Sequence, residues 1–585
     1  MSKINLITTS IIKQYQKNKK NFLLGDWCED GKLEKNIMFN KTNYHWDNYQ
    51  SRKKDLIYLM NFNDEILTYL RKQLNNFFKT NYPRRFWEII LMPWIWIYTS
   101  SLLDRWRIIS TLDEKEKFFF NYQPYNKKTF AMNDLMNFKR SISQSFWTEF
   151  IFGEVIKFKK QFKIKILNKT INNKVNIQKE KKRENSYKKK FLYRNNLSKL
   201  NKNNIFIRSL YLTKMEKLKL YILNGNFLPF YEKFNYLNEF NYDEKKRDKV
   251  FSFEAKKKNF KNFAHSLIKY TLPKCYFEGF QDTILKTSKL NWPNCPKYIL
   301  TSNAYDTDEI FKFYTALKVA RKSKFIIFQH GGNLGTSEFH QGEKVQRNLA
   351  DRYFTWGWKE NKKDIPYSLS TMNMKKITKI SSHKGLLIPI VEIHRFPAKI
   401  ESSPRMRRDA KIYVKNIINF FSLIPNKIRD HSRIKYFSPF KKINIEDNTF
   451  TIDSIKKKYK KNIIYSNKNT LELAKNFSIN VEFINSTGFY ESIYANIPTI
   501  LILDKKISKI RKKANTEFKI LNKNNIFFYD PKDAANFIIK NYYKIDSWWY
   551  SIKTQDALNQ FRKKFARHSH NRIDLLNELI NDKIF

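Results

Sequence analysis

A chain of 585 residues, 42% hydrophobic and 16% aromatic, can bury more apolar surface than one core holds; single cores stop growing near about 250 to 300 residues, so two main domains are predicted. Lys and Arg outnumber Asp and Glu by 112 to 54, a net charge of +58 that would ordinarily point to nucleic acid or an anionic membrane. The joint excess of Lys, Asn, Ile, Phe and Tyr with only 12 Gly and 15 Pro is what AT-rich coding produces without selection, which weakens the nucleic-acid reading and leaves attraction to an anionic inner-membrane surface as the use for the remainder.

Three cysteines, Cys28, Cys275 and Cys295, form no CxxC pair. They offer neither a disulfide framework nor zinc-site spacing and fit a reducing compartment. The start, MSKINLITTSIIKQYQKNKK, has no apolar run of signal-peptide length, so a cytoplasmic protein is expected.

In chain order, the first 150 residues read as helical, aromatic-rich segments, such as DLIYLMNFNDEILTYLRKQLNNFF. Within them Phe86 to Leu103 is apolar enough to raise a membrane span, but Glu88 and Pro93 interrupt it and about 20 residues are needed, so a buried or membrane-surface helix is expected. Residues 157–202 carry 17 basic residues against two acidic and read as a solvated insertion or a docking element for anionic lipid. After Pro296 the pattern becomes that of alternating strands and helices: KYILTSN, DTDEIFKFYTALKVARK, SKFIIFQHGG, then HKGLLIPIV, KNIIYS, VEFINST and IPTILIL with helical text between. The chain closes on an amphipathic helix in which Trp548, Trp549, Ile552, Leu558, Phe561 and Phe565 could cover a lobe surface.

Two segments carry chemistry. In FQHGGNLGTSEFHQGEKVQRNLADRYFTWGW a buried-type strand ends in Gln329, His330, Gly331 and Gly332, at the carboxyl end where open α/β sheets bind ligands. Glycines let backbone approach a phosphate or sugar, and His330 is suited to take a proton near neutral pH, unless it merely caps the strand. Glu343 could orient His330 or bind sugar hydroxyls, with His340 beside it, or both could belong to a solvated loop. In NVEFINSTGFYESIYANIPTILILD a strand ends at Asn485, Ser486, Thr487 and Gly488 and a helix begins, a ready anion site with Glu491 one turn on to accept from ribose hydroxyls; an ordinary helix cap reads the same way.

At these segments the sequence resembles a family of transferases of bacterial O-antigen and surface-carbohydrate gene clusters. The likeness covers most of the chain outside the basic insertion. It rests on LITTS and FLLGDWC, NYHWDNYQSRKKD, YPRRFWEIILMPWIWIY with LLDRW, NAYDTDEIFKF, QHGG with ADRYFTWGW, STGFYESIYANIPT and a late WW, in that order. The resemblance implies a layout similar to two-lobed (GT-B-like) transferases such as teichoic-acid glycerophosphotransferases and capsule sialyl and Kdo transferases. By that likeness His330 matches a base, Ser486 and Thr487 match donor-phosphate binders, and Arg429 or His431 fall where relatives keep a basic or His residue. The sequence lacks a His-Pro pair after the early strands of the second lobe, and GDWC stands where a Gly-rich start is usual.

The expectation is thus an α/β protein of two Rossmann-like lobes with a helix-rich N-terminal region. An acceptor-side lobe over 1–380 contains the insertion, a donor lobe spans 381–545, and the C-terminal helix over 546–585 packs back. The expected activity moves a sugar from a nucleotide-activated donor, CMP-, CDP-, UDP- or GDP-linked, to a glycan or lipid-linked glycan acceptor, with no tightly bound cofactor and no metal required. Rival readings are a sugar-nucleotide epimerase, a membrane-docked scaffold and a nucleic-acid binder; the aromatic-poor basic run counts against the last.

Overall fold

A computed structural model describes residues 4–9, 20–30, 39–113, 115–160, 162–166, 204–226, 237–369, 384–397, 399–404, 406–437, 449–466, 468–567, 569 and 571–581. Most of the basic insertion, 167–202, lies outside them.

Sixteen strands among the described residues form three sheets, every pairing parallel. The first holds β1 (Ile4–Ile7), β2 (Asn21–Leu23), β3 (Phe39–Lys41), β4 (Phe118–Tyr122) and β5 (Lys163–Ile166) in the order β3-β2-β1-β4-β5. The second holds β6 (Ile205–Arg208), β7 (Tyr298–Thr301), β8 (Lys324–Phe328), β9 (Arg352–Thr355) and β10 (Asp364–Pro366), in sequence order across the sheet. The third holds β11 (Leu386–Val391), β12 (Arg433–Phe437), β13 (Ile463–Tyr465), β14 (Ile479–Glu482), β15 (Thr499–Ile502) and β16 (Phe527–Phe528) in the order β13-β12-β11-β14-β15-β16. The α/β class with parallel sheets is as the sequence implies. The region read as helical at the start also contains the short strands of a sheet, and the N-terminal side carries two sheets.

One core joins the first two sheets through the long helices Tyr49–Phe78 and Arg84–Ser110. The second of these is long and apolar enough to cross a membrane, yet 89% of its apolar window is buried inside the protein, the buried-helix alternative. The third sheet has its own core with the helices Arg407–Leu423 and Pro531–Asn541. The helix Thr487–Tyr494, however, sends Phe489, Tyr490 and Ile493 into the first core, locking the third sheet against the second.

The helix Ile552–Phe565 buries Leu558, Phe561 and Phe565 there too, while Ile552 is 81% exposed and takes no part in covering the lobe. Past it the chain returns to the second sheet. The amide of Arg567 donates to the carbonyl of Trp356 at 2.9 Å, and the helix Arg572–Asn581 packs Ile573, Leu576 and Ile580 on β6, β7 and β8.

Candidate active site at two strand ends

Buried Phe325 to Phe328 hold β8 in the second sheet, and its chain then turns sharply at Gln329. Gln329 is 1% exposed, and its side chain fastens the turn: Oε1 accepts from the amide of Trp356 at 2.9 Å and from Nε1 of Trp358 at 2.8 Å, while Nε2 donates to the carbonyl of Gly331 at 2.9 Å. Expected among the ligand contacts, it has no hydrogen-bonding capacity facing the cavity.

Gly332 must be glycine, because a Cβ there would lie 2.3 Å from the Tyr490 ring and 2.7 Å from the carbonyl oxygen of Ser486. This contact brings the two chemical segments together, and side chains reinforce it. Asn485 donates through Nδ2 to Thr336 Oγ1 at 3.0 Å, and Thr336 Oγ1 lies 2.9 Å from the Tyr490 hydroxyl.

Two residues before that contact, His330 lines a cavity of about 220 Å³ with Gly331, Asp306, His340, Lys399 and Glu401. Its Nδ1 is buried with no hydrogen-bond partner among the described residues, and so is Oδ1 of Asp306. Burial pushes the His330 imidazole down to about 4 despite the opposing Asp306 carboxylate. Burial also lowers His340, whose Nδ1 accepts from the amide of Glu343 at 3.0 Å and caps the helix Gln341–Leu349. Burial works against charge on Glu401 as well, but Lys399 at 2.8 Å and His340 outweigh it and hold the carboxyl down at about 2.

Glu343 does not line this cavity. Its carboxylate accepts from the amide of Gly335 at 2.7 Å, receives Nη2 of Arg511 at 3.0 Å on both oxygens, and pairs with Arg347 at 3.3 Å. Arg511 also donates to the carbonyl of Ser337 at 3.1 Å and pairs with Glu360 at 2.9 Å. The expected partner of His330 is therefore a brace. It holds Gly335 at φ +78, where any side chain would collide with Trp358, and ties the loop after β8 to the loop after β15.

The second cavity, of about 290 Å³, lies at the carboxyl ends of β11, β12 and β14, with Ile390, Val391, Lys435 and Glu482 on its walls. From β11 the sheet runs one way through β12 and β13 and the other way through β14 to β16. Such a reversal of strand order opens the crevice in which α/β sheets bind ligands.

Ser486 and Gly488 close the cavity at the start of the helix Thr487–Tyr494. No side chain caps that helix, and Ser486 Oγ leans instead toward Glu482 at 3.5 Å. Its first amides are thus left to an incoming acceptor. Lys435 is only 4% exposed and donates to Thr470 Oγ1 at 3.0 Å; burial lowers its ammonium. Burial pushes Glu482 and Glu491 each up to about 7, with Lys435 pulling both the other way. Glu491 sits one turn into the helix, within electrostatic reach of Tyr211 from the loop after β6.

Arg429 and His431 are not at the site. They precede β12, whose carboxyl end lines the cavity, and so lie at the opposite edge of the sheet. Arg429 bonds to Asn426 and to the carbonyls of Phe421 and Ser422, and His431 is exposed. Sequence reasoning missed Asp306, Lys399, Glu401, Lys435 and Glu482. Glu482 carried a signal, a charged residue in the strand text NVEFI; Lys435 in RIKYF stands in no apolar run, and Asp306 in NAYDTDEIF looks like any helix-start acid.

Parallel sheets that present an uncapped helix start and buried titratable groups at their carboxyl ends have the layout of a ligand-binding α/β protein. The model of the LIC12162 family transferases matches residues 4–580. The chain belongs to that family and is a transferase.

A search of curated proteins gave no match. Among solved structures the chain is similar to WaaG, a glycosyltransferase involved in lipopolysaccharide biosynthesis, at 8% identity over 65% of this chain and 99% of that one with a TM-score of 0.28. It is also similar to an α,α-trehalose-phosphate synthase (UDP-forming) from Burkholderia vietnamiensis, at 8% identity over 58% and 78% with a TM-score of 0.30. A third similarity is to the wall teichoic acid polymerase TagF, at 9% identity over 49% and 73% with a TM-score of 0.28. All three are at low identity and cover 49 to 65% of this chain.

Proposed function

We propose that the protein transfers a glycosyl group from a nucleotide-activated sugar to a hydroxyl of a surface-polysaccharide acceptor of the O-antigen kind. The observation that carries this reading is the contact of Gly332 with Ser486, which sets a cavity holding an imidazole beside a cavity ending in an uncapped helix start. The donor diphosphate would lie on the first amides of the helix Thr487–Tyr494, with the hydroxyls of Ser486 and Thr487 and the ammonium of Lys435 adding donors. Glu491 is then available to ribose hydroxyls.

In the transfer, the acceptor oxygen forms a bond to the anomeric carbon as the bond from that carbon to the phosphate oxygen breaks. The electron pair leaves with the nucleoside phosphate, whose charge meets the helix start and Lys435. The hydroxyl proton goes to His330. Burial that holds the imidazole near 4 leaves it neutral but a weak base, so the step depends on the Asp306 carboxylate to stabilise the imidazolium that forms. A nucleotide-sugar donor places the reaction in the cytoplasm, where the basic excess would favour peripheral contact with an anionic inner membrane.

Calorimetry with CMP, CDP, UDP and GDP tests this reading. One nucleotide class is expected to bind, and Lys435→Met to weaken it about 10- to 100-fold by removing one charge-assisted contact. Binding of none of the four would overturn it.

A further inference from the structure

We propose that the cavity beside His330 receives the sugar ring bearing the attacked hydroxyl, and that it selects an uncharged, hydroxyl-rich ring over a phosphate or a carboxylated sugar. The inference rests on the transfer reading above and adds the chemical class of its acceptor.

The first ground is charge balance. Asp306 is ion-paired with Lys139, and Glu401 pairs with Lys399 at 2.8 Å. Both carboxylates at the wall already hold a lysine each, and burial works against charge on both imidazoles. An anion entering here would meet a wall whose carboxylates and lysines are already paired, with no unpaired cation among the described residues that line it.

The second ground is hydrogen-bond polarity. The two buried atoms without partners, His330 Nδ1 and Asp306 Oδ1, include a carboxylate oxygen that can only accept and a ring nitrogen that must accept if it is to act as a base. A buried acceptor left unmet is unfavourable, and a hydroxyl group brings the hydrogen that satisfies it. An ionised carboxylate brings none.

Shape agrees. Trp96 and Tyr305 give the wall an aromatic side suited to the C–H face of a pyranose. The volume of about 220 Å³ has room for a sugar ring. Gly342 supplies part of that room: a Cβ there would only touch His340 and Trp96, at 3.4 and 3.5 Å, so a longer side chain would grow into the cavity from a helix position that accepts it.

The test uses the full chain labelled with 5-fluorotryptophan, with the Trp96 fluorine line assigned from Trp96→Phe. Methyl glycosides of glucose, galactose and N-acetylglucosamine are titrated beside N-acetylneuraminic acid and inorganic phosphate. A neutral glycoside should move the Trp96 line, and the two anions should not. Asp306→Asn and the cavity-filling Gly342→Leu should each weaken that response about tenfold or more.

Movement by phosphate or the acidic sugar, no movement by any neutral glycoside, or a response unchanged in both variants would overturn the assignment. Nucleotide calorimetry on the same samples separates the two layers. Retained nucleotide binding with no sugar response sinks the acceptor assignment alone, whereas a wild-type protein that binds no nucleotide sinks the transfer reading beneath it.

Discussion

The two cavities are built in different ways. The one at Lys435 and Glu482 belongs to a single sheet, made by the reversal of strand order at β11 and floored by one helix start. The one at His330 needs elements from four parts of the chain: the turn after β8, Asp306 from the short helix Ala304–Thr307 that follows β7, Trp96 from the long apolar helix, and Lys399 with Glu401 from the loop after β11. A strand-order reversal provides a phosphate-type pocket almost automatically, whereas a proton-accepting site has to be assembled by tertiary packing. Hence the Glu343–Arg511 brace, and the glycine at 332 that lets the two meet.

That difference can be broken experimentally, most strongly at His330. His330→Asn should lower turnover by about 10²- to 10⁴-fold while nucleotide affinity stays as in the wild type, read by initial rates and calorimetry side by side. Equal loss of both would mean that the imidazole serves the donor pocket instead.

Next in size is the brace. Arg511→Met leaves Glu343 buried with Arg347 as its remaining cation, and should cost about 3 kcal/mol in urea unfolding. It should also impair both cavities, since the loops after β8 and β15 lose their tie.

The pH response sharpens the comparison. Glu482 is held up to about 7 in the fold against 4.5 in the open chain. Between those values the folded protein keeps a proton that the unfolded chain has released, so this group's contribution to stability falls as pH rises through that window. Glu482→Gln removes the fall. From pH 5 to pH 8 the wild type should lose about 1 to 3 kcal/mol more than the variant. His330, held down to about 4, acts in the opposite sense: its contribution is lost as pH drops from about 6.5 toward 4, so His330→Asn should be less sensitive to acid than the wild type. The smallest effect belongs to Arg429→Ala and His431→Ala, which should leave nucleotide affinity unchanged and stability within about 0.5 kcal/mol.

The parallel α/β wiring after Pro296 was legible because β7, β8, β11, β14 and β15 are apolar runs set between helix signals, the pattern of strands buried on both faces. β12 was not, because Lys435 interrupts it in order to face the cavity. The N-terminal strands are three to five residues long, and β1 and β2 spend buried positions on Asn5 and Asn21, which bond to each other at 3.0 Å. Polar ladders of that kind leave no alternation to read.

In the site, His330, the glycines and the Ser486–Thr487 helix start were visible as strand ends. Gln329 was misassigned because its partners, Trp356 and Trp358, return to the turn from some 27 to 29 residues away. Glu343 was misassigned because Arg511, 168 residues on, claims it. Arg429 and His431 came from likeness in order along the chain, which does not tell which end of β12 they occupy.

The most direct test is a crystal structure of the full chain with the nucleoside diphosphate that binds in calorimetry. The diphosphate is expected on the amides of Thr487 and Gly488, within reach of Lys435, with its sugar-bearing oxygen turned toward His330. A nucleotide seated at another strand end, or a His330 ring turned away from it into the core, would contradict the shared site.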